Sequence, residues 1–204
     1  PNGAGKTTTM RMILGLIRRD AGTVSIFGNS HPVRGRAGLG GIVESPRFHP
    51  YLSGRDNLRV LAAYSGDVPA ARLDELLTLV RLRDRAGDLV STYSMGMRQR
   101  LGIAQALLAR PRLLLLDEPA NGLDPAGMKE VRELIRTLRT DEGLTVLVSS
   151  HLLSDVEQLC TRVGIIQDGR KIVEGATQEL VAEGESLEDA FLRHTTPGAG
   201  EQIR

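Results

Sequence analysis

Pro1-Asn2-Gly3-Ala4-Gly5-Lys6-Thr7-Thr8 opens the chain, and apolar residues at helical spacing follow it. A Gly-rich turn ending in Gly-Lys-Thr at a helix start aims a row of backbone N–H groups at one place, where the helix offers no acceptor. Phosphate oxygens would fill that place. Lys6 adds a flexible positive charge that can reach the β- and γ-phosphates of a nucleotide, and the Thr7 hydroxyl offers an oxygen to a Mg²⁺ bridging them. The full pattern G-x-x-x-x-G-K-[ST] puts its first Gly immediately before Pro1, and a buried strand before that, so the sequence is expected to be a piece of a longer chain. A Gly-rich turn that merely precedes a helix would suit Gly3 and Gly5. It does not call for Lys6 and then Thr7.

The rest of the chain reads outward from this loop. Met10, Ile13, Leu14 and Ile17 predict a helix from Thr7 to Ile17, stopping near Asp20-Ala21-Gly22. Thr23 to Phe27 alternates as a strand with a turn at Gly28-Asn29. Gly38 to Val43 is a short buried strand that delivers Glu44 to its end, and Ser45 to Leu52 is a loop. Gly54 to Tyr64 and Ala70 to Leu82 predict helices with no strand among them, the mark of a helical insertion in an alternating α/β chain. Alternation then resumes. Met97 to Ala109 is a helix, Arg112 to Leu116 a wholly apolar strand of the kind buried in a parallel sheet, and Met128 to Arg139 an amphipathic helix. Leu144 to Ser149 reads as another buried strand and Leu152 to Leu159 as another helix. Arg162 to Gln167 and Arg170 to Glu174 form a hairpin about Asp168-Gly169. Two short helical pieces follow Gly175, and Thr195 to Arg204 is expected to fray.

Composition bounds the function. The 204 residues suffice for one core, and 41% apolar with 25% charged residues is ordinary globular content. A net charge of +1 gives no electrostatic footprint for nucleic acid. Lysine occurs only at positions 6, 129 and 171, against a background of arginine, which makes the lysine of the opening loop stand out. The lone Cys160 excludes an internal disulfide and suits a reducing compartment. No apolar run approaches the length of a membrane span.

The carboxylates Asp117 and Glu118 end the run Leu113-Leu114-Leu115-Leu116, which puts them at the sheet edge where open α/β sheets bind ligands. Asp117 would hold Mg²⁺, directly or through water, and Glu118 could accept a proton from a water attacking the γ-phosphate. Two solvated acids in a turn are the plainer alternative. Tyr93-Ser94-Met95-Gly96-Met97-Arg98-Gln99-Arg100 is a polar loop entering a helix. It could present a second phosphate-binding terminus or simply an N-cap at Ser94. Asn121-Gly122-Leu123-Asp124-Pro125 by itself is an ordinary turn. His151 follows Ser149-Ser150 at the end of a strand, either as a satisfied polar residue or beside a γ-phosphate.

In this order and spacing the set resembles the nucleotide-binding domain of ATP-binding cassette (ABC) proteins. Pro1 to Thr8 matches its Walker A loop, Tyr93 to Arg100 its signature loop, Leu113 to Glu118 its Walker B strand, Leu123-Asp124 its D-loop and His151 its switch histidine. The resemblance implies an α/β fold: a P-loop NTPase core with a mainly parallel sheet, an inserted helical subdomain carrying the signature loop, and a C-terminal β-hairpin. It also implies one ATP-binding domain over 1–204, with the helical subdomain at 45–110, the rest of the catalytic core at 111–175 and a helical tail at 176–204. ATP and Mg²⁺ are the implied cofactors. Asn2, Gly3, Ala4, Gly5, Lys6, Thr7 and Thr8 would bind ATP. Ser94 and Gly96 would bind the nucleotide of a second such domain, paired head to tail. Thr7, Asp117 and Glu44 would face the metal, Glu118 and His151 would be catalytic, and Asp124 would lie at the dimer contact.

Glu44 stands where the family usually has Gln, and the signature loop keeps Ser94 and Gly96 but places Tyr93, Met95 and Met97 around them. The phrase Gly41-Ile42-Val43-Glu44-Ser45-Pro46, the segment Tyr93 to Leu101, and Ser186-Leu187-Glu188-Asp189-Ala190-Phe191 are similar to the branch that exports drugs and peptide antibiotics such as bacitracin, daunorubicin and lantibiotics. That implies an ATPase coupled to an integral membrane permease at the cytoplasmic face of the membrane, with no nucleic-acid partner. A soluble ABC ATPase acting on ribosomes or DNA, and a truncated cassette without function, are the competing expectations.

Overall fold

A computed structural model of the chain describes residues 3–31, 36–66, 68–182 and 184–195. Asn2 and the expected frayed end beyond Thr195 lie outside the described residues. The chain divides into two compact units: one holds residues 3–9 with the described part of 150–195, the other the described part of 10–149.

Helix α1, Lys6–Leu14, bridges the two stretches of sequence at its start. It ends earlier than its apolar pattern predicts. Gly15 takes φ +72°, its amide donates to the Met12 carbonyl at 3.1 Å, and the Leu16 amide reaches back to the Arg11 carbonyl at 2.8 Å. That pair of bonds is a Schellman stop, which satisfies the last carbonyls and needs a residue tolerant of a left-handed conformation. The apolar run through Ile17 therefore continues as coil.

Nor does the expected strand at Thr23 to Phe27 form. Only an isolated bridge between Ile26 and Asn29 remains, closed by a tight turn in which Phe27 and Gly28 both have positive φ. A strand needs a neighbour's N–H and C=O groups, and among the described residues this segment has none beyond its own turn.

The larger unit is a three-stranded parallel sheet covered by helices. Strand β1 is Leu39–Ile42, β2 is Leu113–Asp117 and β3 is Thr145–Ser149, in the order β1-β2-β3. Leu39 pairs with Leu113, Leu113 with Thr145, and Asp117 with Ser149. β1 is glycine-rich because its neighbours come close. A Cβ on Gly40 would sit 2.2 Å from the Ala106 carbonyl oxygen, and one on Gly41 2.9 Å from a Leu14 methyl.

Between β1 and β2 lies the helical insertion: α2 (Gly54–Ala62), α3 (Ala70–Leu79) and α4 (Met95–Ala106), with 3₁₀ turns at Arg83–Arg85 and Val90–Thr92. Helix α4 starts earlier than expected because Ser94 caps it, and it ends earlier too, at Ala106. The Leu73, Leu76 and Leu77 face of α3 is buried, with Val80 just beyond it. Helix α5, Pro125–Thr140, returns the chain to the sheet and buries Val131, Leu134, Ile135 and Leu138. Leu114, Leu115 and Leu116 of β2 are fully inaccessible. Burying each such side chain contributes about 1.5–3 kcal/mol.

β3 departs from expectation. It is not buried: Thr145 and Leu147 are exposed, Leu147 by 43%, and only Ser149 is fully covered. β2 has strands on both sides, whereas β3 pairs only with β2 among the described residues.

In the smaller unit, α6 (Leu153–Leu159) precedes the antiparallel hairpin of β4 (Arg162–Gln167) and β5 (Arg170–Ala176), and two short helices follow, α7 (Thr177–Leu180) and α8 (Leu187–Thr195). The hairpin turns at Asp168 and Gly169, both at positive φ, as the Asp-Gly pair predicts. The Leu187 amide donates to Glu157 at 3.3 Å, tying α8 to α6.

Candidate functional site

Each unit carries part of the predicted site. In the smaller one, the opening loop runs into α1 with Gly3 and Gly5 at φ +75° and +100°. The Gly169 amide donates to the Ala4 carbonyl at 3.0 Å, so the hairpin turn holds the loop from behind. Helical bonding begins with Thr9, whose amide and hydroxyl both reach the Gly5 carbonyl, at 2.9 and 2.8 Å. Ala4 is buried, Lys6 and Thr7 half-buried, and Thr8 exposed. The amides that precede the first helical bond are those an anion would meet. His151 is exposed, just before α6.

In the larger unit the apolar strand β2 delivers Asp117, which is 7% exposed, and Glu118 to one edge of the sheet. Ser149, the residue of β3 in register with Asp117, links the two. Its hydroxyl donates to Asp117 Oδ1 and accepts from the Glu118 amide at 3.0 Å, while its carbonyl accepts from the same amide at 3.1 Å. Glu118 sits at φ +49°, a conformation costly for a residue with a Cβ. The turn behind it closes with the Asn121 amide on the Glu118 carbonyl at 3.0 Å. The backbone at this corner is thus held by hydrogen bonds, with Asp117 buried and Glu118 half-buried. Ser149 was visible in the sequence only as a polar residue ending an apolar strand.

Ser94 caps α4, its Oγ accepting from the Met97 amide at 3.2 Å. Gly96 faces the first turn of α5, where its absent Cβ would stand 3.6 Å from Gly127 Cα. Met95, half exposed, reaches Gly122. Asp124 caps α5, with Oδ1 accepting from the Gly127 amide at 3.0 Å and Pro125 at the first helical position. The structure therefore brings the signature segment against the turn that carries Asp124. Glu44, at φ +71° just beyond β1, forms an ion pair with Arg11 of α1. The extra negative charge at that position meets a guanidinium, a partner the sequence pattern did not indicate.

Each unit by itself offers hard oxygens of the kind Mg²⁺ takes, the Thr7 hydroxyl in the smaller and the Asp117 and Glu44 carboxylates in the larger. Among the described residues no cluster of three or more His, Cys, Asp or Glu could hold a metal ion.

The model of the family described as "ABC transporter" matches residues 1–121. The chain belongs to the ABC transporter family. It is 52% identical over 172 residues to the uncharacterized ABC transporter ATP-binding protein YdbJ of Bacillus subtilis (strain 168), across 83% of this chain and 56% of that protein. It is 48% identical over 178 residues to the bacitracin transport ATP-binding protein BcrA of Bacillus licheniformis, across 85% of this chain and 58% of that one. The chain thus spans little more than half the length of these relatives. A solved structure described as an ATP-binding subunit of an ABC transporter superposes with a TM-score of 0.80 at 31% identity, covering 96% of this chain and 85% of the other. The α/β P-loop core expected from the sequence is the fold the family shares.

Proposed function

We propose that this chain is the ATP-binding and ATP-hydrolysing part of an ABC exporter of peptide antibiotics or similar drugs. It works with a second cassette and an integral membrane permease, at the cytoplasmic face of the membrane. The observation that carries the reading is the Asp117–Ser149–Glu118 corner: a buried carboxylate followed by a glutamate whose strained backbone is hydrogen-bonded in place at the end of a sheet strand. The similarity to a bacitracin transport protein supports the class of cargo. No helix among the described residues is long and apolar enough to cross a membrane.

In this reading the amides of residues 2–8 and the Lys6 ammonium bind the phosphates, Asn2 included although it lies outside the described residues. Thr7 and Asp117 would hold Mg²⁺, with Glu44 facing it, and the ion would supply positive charge to the phosphates. Glu118 orients a water and takes its proton, and His151 contacts the γ-phosphate. Ser94 and Gly96 serve the nucleotide held by the partner cassette, with Asp124 at the contact. Closure on ATP and opening after hydrolysis would move the permease.

The complete protein, co-expressed with its permease in a sensitive bacterium, should raise the bacitracin concentration the cells tolerate, and Glu118→Gln should cancel the gain while ATP still binds. Copurification with ribosomes or DNA in place of a polytopic protein would overturn the transport assignment.

A further inference from the structure

Tyr93 ends the loop that leads into α4, and its side chain is buried and hydrogen-bonded. Only 3% of the residue is exposed. Its hydroxyl donates to the Arg85 carbonyl at 2.7 Å, and its own carbonyl accepts from the Arg98 guanidinium one turn into α4. The ring lies against Gly54, the first residue of α2. A Cβ there would stand 2.2 Å from the Tyr93 hydroxyl oxygen and 3.0 Å from the ring carbon that bears it. Gly54 and Arg55 are fastened to the same segment, their amides donating to the Asp88 and Ala86 carbonyls at 3.2 and 2.9 Å. Ser53 and Leu89 form a further bridge. Burial pushes the phenol above its ordinary pKa, which keeps it a donor.

A purely apolar side chain would fill this space but could not tether it. The hydroxyl bond fixes the height of Tyr93 above α2, and Ser94, the next residue, begins α4 from there. We propose that Tyr93 is a positioning residue for the signature loop, clamped between Gly54 and the Arg85 carbonyl so that Ser94 and Gly96 are presented at one fixed height. This rests on the reading that those two residues serve the partner cassette's nucleotide. Small misplacements of such groups weaken their action steeply.

The test uses the complete ATP-binding protein in a Glu118→Gln background, with ATP and Mg²⁺ as the probe. The dimerisation midpoint is read by sedimentation, and single-chain affinity by titration of a fluorescent ATP analogue below that midpoint. Tyr93→Phe should raise the midpoint about fivefold, the worth of one buried hydrogen bond, and leave single-chain affinity unchanged. Gly54→Ala should raise it further. Combining Gly54→Ala with Tyr93→Phe should do less damage than Gly54→Ala alone, because the atom that clashes is gone. Variants that lose thermal stability but keep the parent's midpoint would overturn the proposal, as would simple additivity in the double variant. A parent that does not dimerise with ATP would overturn the reading beneath it instead, and the parent alone reveals that.

Discussion

The hydroxyl of Ser149 donates to Asp117 and accepts from the amide of Glu118, so one side chain on β3 holds the Asp117 carboxylate and the Glu118 backbone together. Ser149→Ala takes one donor from the buried Asp117 carboxylate and the side-chain acceptor from the Glu118 amide, which keeps only the Ser149 carbonyl. The variant should lose about 1–2 kcal/mol of stability in urea titrations. Its ATPase kcat should fall about tenfold with the KM for ATP little changed, since the loss falls on the geometry around Glu118.

Glu118 combines strain with its proposed role as base. Glu118→Gln should cut turnover by about 10²–10⁴. Glu118→Gly should be as inactive yet melt higher than the Gln variant, because glycine relieves a left-handed backbone that costs other residues about 1–2 kcal/mol. Equal melting temperatures would show that the corner stores no strain.

Arg100 of α4 is 8% exposed, and its guanidinium donates to the Val80 and Arg81 carbonyls at 2.8 and 3.0 Å at the end of α3. Glu130 of α5 lies 3.2 Å away but is itself half exposed. Burial lowers the Arg100 pKa more than Glu130 raises it. Arg100→Ala should destabilise by about 2–3 kcal/mol, leaving those carbonyls unsatisfied. Glu130→Gln should cost under about 1 kcal/mol. Chemical denaturation of the two variants side by side decides the order.

Arg11 and Glu44 form an ion pair in which both side chains remain partly exposed, so Glu44→Gln should shift stability by less than about 1 kcal/mol. Magnesium dependence is the sharper readout. Arg11→Ala, which strips the charge from beside Glu44, should change the Mg²⁺ concentration needed for nucleotide binding, whereas Glu44→Gln in the same background should restore it.

Acid should loosen the end of α8. The Arg193 guanidinium, helped by the Ala182 amide, holds the Glu185 carboxyl at a pKa of about 2, below its usual 4.5. A carboxylate depressed in the folded state contributes stability that is complete above pH 4.5 and disappears as pH falls from there toward 2. Hydrogen-exchange protection of α8 should weaken over that interval, and Glu185→Gln should flatten the dependence.

Where burial or local chemistry alone decides, the sequence was legible. Leu113 to Leu116 could only be an inner strand, the stripe on α5 could only face a core, and Asp168-Gly169 could only be a tight turn. Gly15 was missed because its neighbours Leu14, Leu16 and Ile17 are apolar, and a helix stop written in backbone bonds leaves no mark on periodicity. The segment Thr23 to Phe27 has a strand's alternation, but a strand exists only with a partner. Around the candidate site, the place of Asp117 at the end of a buried strand and of Ser94 as a helix cap was readable from local pattern. Ser149 as the link, Arg11 beside Glu44 and Gly54 beneath Tyr93 join residues far apart in sequence, and no local rule pairs them.

β3 has one side engaged by β2 and, among the described residues, no strand along the other. Thr145-Val146-Leu147-Val148-Ser149 carries no charge, no proline and a half-exposed leucine. A strand edge left open behaves as adhesive, since unpaired amides and carbonyls accept any passing extended segment. The 204-residue chain expressed alone should therefore be short-lived in solution, clotting with time and concentration through this border. A lysine at Leu147, on the outward side, should prolong its life in a light-scattering assay without touching the corner at Asp117.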